Sequence, residues 1–131
     1  MRQSWKNFGK ELACPCCGEL RMNEAFMDRI QSARDMAGIK FFVSRGGACR
    51  CGKYQEELYR EGRTGRLTSR HNIEFAPNGA SALDVVAPDP PSRGRIIRSC
   101  QSVGLVSFCI YLSRRFIHID DAPDPWIEVI P

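Results

Sequence analysis

Seven cysteines in a chain of 131 residues constrain this sequence more than any other feature. The count is odd, so the thiols cannot all pair within one chain, and disulfide formation would leave at least one unpaired. Five of the seven fall in two tight groups, Cys14-Pro-Cys16-Cys17-Gly18 and Cys49-Arg-Cys51. A fold that uses both groups together must staple the polar lead-in, residues 1–21, to the segment around residue 50. Two chemistries would serve. One is a structural zinc held by four thiolates, for example Cys14, Cys17, Cys49 and Cys51; the single-residue spacer of Cys49-x-Cys51 is tighter than such sites usually show. The other is one or two disulfides, which need an oxidising compartment. Cys100 and Cys109 lie in apolar surroundings and read as core residues.

The length suits one compact domain with its own core (lead-in 1–21, core 22–120, tail 121–131) and is too short for two. Apolar residues make up 43% of the chain and the net charge is only +4, so disorder is excluded as its main state. The same mild charge, with arginines scattered and not blocked together, gives no reason to expect nucleic acid as a partner. The longest apolar run, Gly104–Leu112, is interrupted by Ser107 and is far short of the roughly 18 residues a membrane span needs. Met1-Arg-Gln-Ser-Trp-Lys carries charge without a following apolar block, so no secretory signal is expected.

Residues 23–37 predict an amphipathic helix: Asn23 is a natural N-cap, Phe26, Ile30, Ala33 and Ala37 share a face, and Gly38 stops it. Ile39–Val43 has the content of a strand, and Gly46-Gly47 punctuates it. A short charged helix is expected at 53–61, then a polar loop at 63–70. Further expectations are a strand at 82–86, a helix at 92–103 with Pro91 near its start, strands at 106–112 and 116–120, and a tail at 121–131 carrying Trp126. No βαβ rhythm is sustained. The predicted class is α+β, a small mixed or antiparallel sheet with flanking helices.

The chain has only two histidines, and each has suggestive neighbours. His71 closes a polar loop in Ser69-Arg-His71. His118 lies in Phe116-Ile-His-Ile-Asp120, where strand alternation puts it on one face with Asp120. Asp84 lies on the strand expected at 82–86. Two imidazoles and a carboxylate make three zinc ligands and leave a fourth position for water, the pattern of a catalytic site.

Taken in order, Ser69-x-His71, Gly79, Ala82-x-Asp84 and Phe116-Ile-His118-Ile-Asp120 resemble the D-Ala-D-Ala carboxypeptidase family of zinc peptidases. That family includes cell-wall carboxypeptidases and phage endolysin peptidases, and hedgehog signalling domains share its fold. The upstream Leu12-Ala-Cys14-Pro-Cys16-Cys17-Gly18, helix, strand and Arg50-Cys51 are similar to one branch of it. The resemblance covers roughly residues 8–122. It implies zinc bound by His71, Asp84 and His118, with Arg50 gripping a substrate carboxylate and Ser69 hydrogen bonding beside the metal. It also implies a disulfide as one form of the lead-in staple. Plainer roles are open too: a solvated loop cation for Arg50, a cap for Ser69.

Two departures from the family pattern stand out. Twelve residues separate His71 from Asp84 where the family has six, so Ile73–Asn78 reads as an inserted loop able to reshape or cover the substrate groove. The acidic residue that many members carry three positions before the last histidine is Arg115 here, a cation that could at most steady an oxyanion. Asp120 is then the nearest carboxylate for the general base, or else a partner that orients His118; Glu74 and Asp121 are alternatives. The function implied is a monomeric endolysin-like zinc metallopeptidase. It would cleave a D-alanyl or related bond of the peptidoglycan stem peptide, and reside in a host cytoplasm or virion until it meets the wall. Its rivals are a non-catalytic wall or virion module that keeps the fold, and a cysteine-based zinc module on nucleic acid.

Overall fold

Alternation along Phe116–Asp120 organises the sheet. Ile117 and Ile119 point to one face and are fully buried, while His118 and Asp120 point to the other and stay partly open. The computed structural model describes residues 4–64 and 68–131. Its elements are a 3-10 turn at Lys10–Leu12, α1 at Glu24–Ala37, α2 at Gly52–Arg60, β1 at Ala82–Val86, α3 at Pro90–Ser102, β2 at Ser107–Tyr111, β3 at Phe116–Asp120 and β4 at Trp126–Ile130. The four strands form one mixed sheet in the order β1-β3-β2-β4, antiparallel except for the parallel β2–β4 pair. The expected α+β class with a small mixed sheet and flanking helices is what the chain adopts.

The inward face carries Leu83, Val85, Phe108, Ile117 and Ile119. These residues cluster with Phe26, Met27, Ile30 and Ala33 of α1 and Ile96 and Cys100 of α3. Burying that face turns the opposite one, with every second residue of each strand, toward the site. Both long helices are capped as their sequences dictate. The Asn23 side chain accepts the Phe26 N–H at 2.9 Å, and Gly38 ends α1 in the left-handed region at φ 67°. At α3, Asp89 accepts the Ser92 N–H at 2.8 Å, so the helix begins two residues earlier than expected, with Pro90 and Pro91 in its first turn.

Two sequence expectations are corrected. Ile39–Val43 is extended but is not a strand: it makes a single bridge, Val43 to Val85, with hydrogen bonds from Val86 N to Phe42 O and from Ser44 N to Asp84 O. The next β1 donor, Asp84 N, goes instead to Gly47 O at 2.7 Å, past the Gly46 turn, so the ladder stops there. The tail, for which no element was expected, contains an edge strand, Trp126–Ile130, paired with β2 and exposed along its whole length. Cys109, read as core, is half-buried on the site face of β2, whereas Cys100 is fully buried as expected. The polar loop expected at 63–70 includes residues 65–67, which lie outside the described residues.

Candidate metal centre

Asp84 and His118 are placed by the ladder itself, as Cα partners in the middle of β1 and β3. His71 arrives from a turn. Ser69 shapes it, the hydroxyl accepting the His71 N–H at 3.2 Å and the carbonyl accepting the Asn72 N–H at 2.9 Å. Arg50 then clamps the turn through a parallel bridge to Asn72, its N–H donating to His71 O and its carbonyl accepting from Ile73 N. Residues far apart in sequence thus meet because two backbone pairings leave them no other place.

His71 Nε2, Asp84 Oδ1 and His118 Nδ1 converge. The distances are 3.2 Å from His71 to Asp84, 3.3 Å between the histidines and 3.0 Å from His118 to Asp84. Ligands in a tetrahedral zinc site with bonds of about 2.0–2.1 Å stand roughly 3.3–3.4 Å apart, so the triangle has the size of one face of such a site.

The remaining ring nitrogens settle what these atoms carry. His71 Nδ1 lies 2.7 Å from Ala48 O, a carbonyl that can only accept, so Nδ1 holds the proton and Nε2 offers a lone pair. His118 Nε2 lies 2.8 Å from Asp120 Oδ2 and donates to it, which leaves Nδ1 facing inward. Two imidazole lone pairs and a carboxylate oxygen so close together repel unless a cation joins them. Without a metal that cation is a proton. Burial alone would disfavour charge on His118, but its hydrogen bonds to Asp120 and Asp84 push it up to about 9. His71 is held down, chiefly by burial. Burial would raise Asp84, yet the adjoining histidines keep its carboxyl well below the usual range.

The shell around this triangle is also built. Arg50, nearly buried, donates through Nε to Gly46 O at 2.6 Å, Nη1 to Gln55 Oε1 at 3.1 Å and Nη2 to Asp84 Oδ2 at 3.3 Å. It fixes one oxygen of Asp84 and leaves the other for the centre. Asp120 is engaged at both oxygens, by His118 and by the Ala122 N–H at 2.9 Å. So held, Asp120 lies on the far side of the His118 ring from the converging atoms, a geometry that suits the second role expected of it, orienting His118. Asp121 is taken up by Arg70 at 3.0 Å and the Ser81 hydroxyl at 2.8 Å. Glu74 stands beside Gly52 at the start of α2, away from the cleft. Arg115 sits in the β2–β3 turn at φ 59°, and it is Arg114 that lines the cleft.

The cleft encloses about 910 Å³ over the polar face of the sheet. The expected insertion forms part of its wall: Ile73 is anchored in the core, while Phe75, Ala76, Pro77 and Asn78 border the opening. Across its floor runs one register row, Asp84, His118, Cys109 and Glu128. Glu128, Ala48 and Gln55 were not among the residues expected from sequence. Glu128 was hidden because its strand lacks any buried face, and Ala48 because it contributes only a carbonyl.

The second expected cluster is regrouped. The thiols of Cys14, Cys17 and Cys51 converge within 4.8 Å of one another, whereas Cys49 is fully buried elsewhere, its thiol pushed up to about 11, mainly by burial. Both clusters are compatible with zinc. Among the described residues no helix is long and apolar enough to cross a membrane. Compared with protein-family models, curated proteins and solved structures, the chain matches none.

Proposed function

We propose that this protein is a zinc-dependent metallopeptidase acting on the stem peptide of peptidoglycan. The observation that carries this reading is the triangle of His71 Nε2, Asp84 Oδ1 and His118 Nδ1, with both histidine tautomers fixed from outside. The resemblance to the D-Ala-D-Ala carboxypeptidases, hedgehog-like fold included, supplies the substrate class. A zinc ion held there would supply Lewis-acid polarisation of a peptide carbonyl and bring water into nucleophilic range near neutral pH. The chain's own groups do the rest. Ala48 O and Asp120 hold the ring protons outward, and Arg50 pins Asp84 while keeping two of its five N–H groups for a substrate carboxylate or developing oxyanion. Ser69 stays at the cleft edge as a cap whose hydroxyl hydrogen remains for the substrate.

Proton transfer needs a carboxylate that is not already held. Of the five carboxylates lining the cleft, Asp84, Asp120 and Asp121 are engaged, which leaves Asp124, in the loop before β4, and Glu128, on the sheet floor. Glu128 forms no ion pair with a described residue and stands on the His118 row, two strands or about 10 Å away between Cα atoms. It is the preferred proton acceptor, and Glu128→Gln is expected to lower kcat by about 10²–10⁴ while metal content stays unchanged.

The direct test is release of amino acid or peptide from purified muropeptides by wild type and by His71→Ala. Wild type should cleave and the variant should not, with one metal lost. Retained cleavage in His71→Ala would end the proposal. Metal binding without cleavage in wild type would favour the non-catalytic module, for which Arg115 in place of an acid already speaks.

A further inference from the structure

The thiol cluster lies outside the cleft and has its own construction. Residues 14–19 form a tight turn, with Gly18 N donating to Cys14 O at 2.8 Å and Cys14 N to Glu19 O at 2.8 Å. Gly18 adopts φ 75°, a conformation that a side chain would resist. This turn brings Cys14 and Cys17, with two residues between them, to one point, and Cys51 meets them from the N-cap position of α2. Backbone donors are aimed at the sulfurs of Cys14 and Cys51. Cys14 Sγ accepts from Cys51 N at 3.3 Å and is also approached by the N–H groups of Cys16 and Cys17. Cys51 Sγ accepts from Tyr54 N at 3.4 Å, and the Glu19 N–H lies on the Cys17 side of the cluster, where it favours the thiolate.

We infer that Cys14, Cys17 and Cys51 hold a structural zinc ion. Three features favour a metal over a disulfide. A disulfide joins two sulfurs and would leave the third thiol pressed against it, whereas a metal uses all three. The converging N–H groups stabilise thiolate charge, which a metal also requires and a disulfide lacks. The spacing objection falls away as well, because Cys49 is not a ligand and Cys14-x-x-Cys17 has the separation that tetrahedral zinc sites use. Thiolate donors select zinc over harder cations.

The location gives the staple a consequence. Residues 48–51 form one strip that carries the Ala48 carbonyl on His71, the Arg50 clamp on Asp84 and Cys51 in the thiol site. Cys49 N also donates to Leu12 O at 3.2 Å, tying the strip to the lead-in. A metal at Cys51 therefore anchors the backbone that carries the Ala48 carbonyl onto His71 and the Arg50 guanidinium onto Asp84.

The inference does not rest on the peptidase reading, and its test separates the two. Protein purified under reducing conditions is analysed for zinc as wild type, His71→Ala and Cys17→Ser. The expected contents are about two, one and one zinc per chain. Cobalt-substituted His71→Ala should show a thiolate-to-metal charge-transfer band that His71→Ala/Cys17→Ser lacks. If Cys17→Ser fails to fold, an organomercurial titration of wild type replaces it, and one zinc should leave as the thiols are consumed. Folded His71→Ala without zinc would overturn the inference, as would a disulfide among these cysteines in the isolated protein or no zinc released by the mercurial. None of these outcomes bears on cleavage by wild type.

Discussion

Asp120 and Ala48 act on the same property from opposite sides of the site: each takes the proton of one histidine ring and so aims the other nitrogen inward. Removing the side chain that fixes a ligand's tautomer typically costs 10–100-fold in metal affinity. Asp120→Ala is therefore expected to weaken metal binding by about that factor in competition with a chelator. An unchanged affinity would return Asp120 to the list of bases. The metal-free protein should also carry a distinct pH signature. His118, raised to about 9, contributes stability that is complete below its unfolded value of about 6.5 and is lost as pH rises toward 9. His71 is lowered, so unfolding takes up a proton there and stability falls as pH drops below about 6.5. Thermal melts of chelator-treated protein should thus peak near pH 6.5, and bound metal should flatten the decline on the alkaline side. A metal-free optimum near pH 9 would contradict the assigned protonation.

Between elements, the site depends on how closely the segment after Val43 approaches β1. Gly47 accepts the Asp84 N–H, and a Cβ there would lie 2.5 Å from Ser44 Oγ, 2.8 Å from Ser44 O and 2.9 Å from Asp84 Cβ. Gly47→Ala must push Asp84 or the Ser44 backbone aside. Expected are a loss of about 1–3 kcal/mol in denaturant melts and weaker metal binding; a wild-type melt would show that the approach is looser than described. How far each element was legible follows from what holds it. α1, β1 and β3 carry their own signals, in the Asn23 cap, the Gly38 stop and the alternation of Phe116–Asp120, and the structure keeps them. Ile39–Val43 has strand composition, but pairing needs a partner as well, and Asp84 N turns to Gly47 instead. β4 has a partner but no burial pattern, because an edge strand open on both faces leaves no periodic trace. The candidate ligands His71, Asp84 and His118 were legible as residue types in order, whereas the groups that hold them, Ala48, Arg50 and Asp120, act through a backbone carbonyl and geometry that composition does not record.

At the scale of the molecule, the sheet divides its labour by face. Ile117 and Ile119 bind it to the helices through one side, and His118 and Asp120 build the cleft on the other, so the same five residues of β3 serve core and chemistry. Arg50 and the His71 turn border that cleft while the lead-in cysteines meet Cys51 outside it, which is how a chain of 131 residues assembles two prospective metal positions from side chains scattered between residues 14 and 118. Zinc bound to the native state alone stabilises by about 2.7 kcal/mol at a hundredfold excess over its dissociation constant, a large share of what a domain this small can hold in reserve. Anomalous diffraction at the zinc edge from crystals of the metal-loaded protein is the most direct measurement. The account predicts a peak inside the triangle of His71 Nε2, Asp84 Oδ1 and His118 Nδ1, about 2.0–2.1 Å from each. A triangle without a peak, or a peak that one of the three side chains fails to reach, would contradict it.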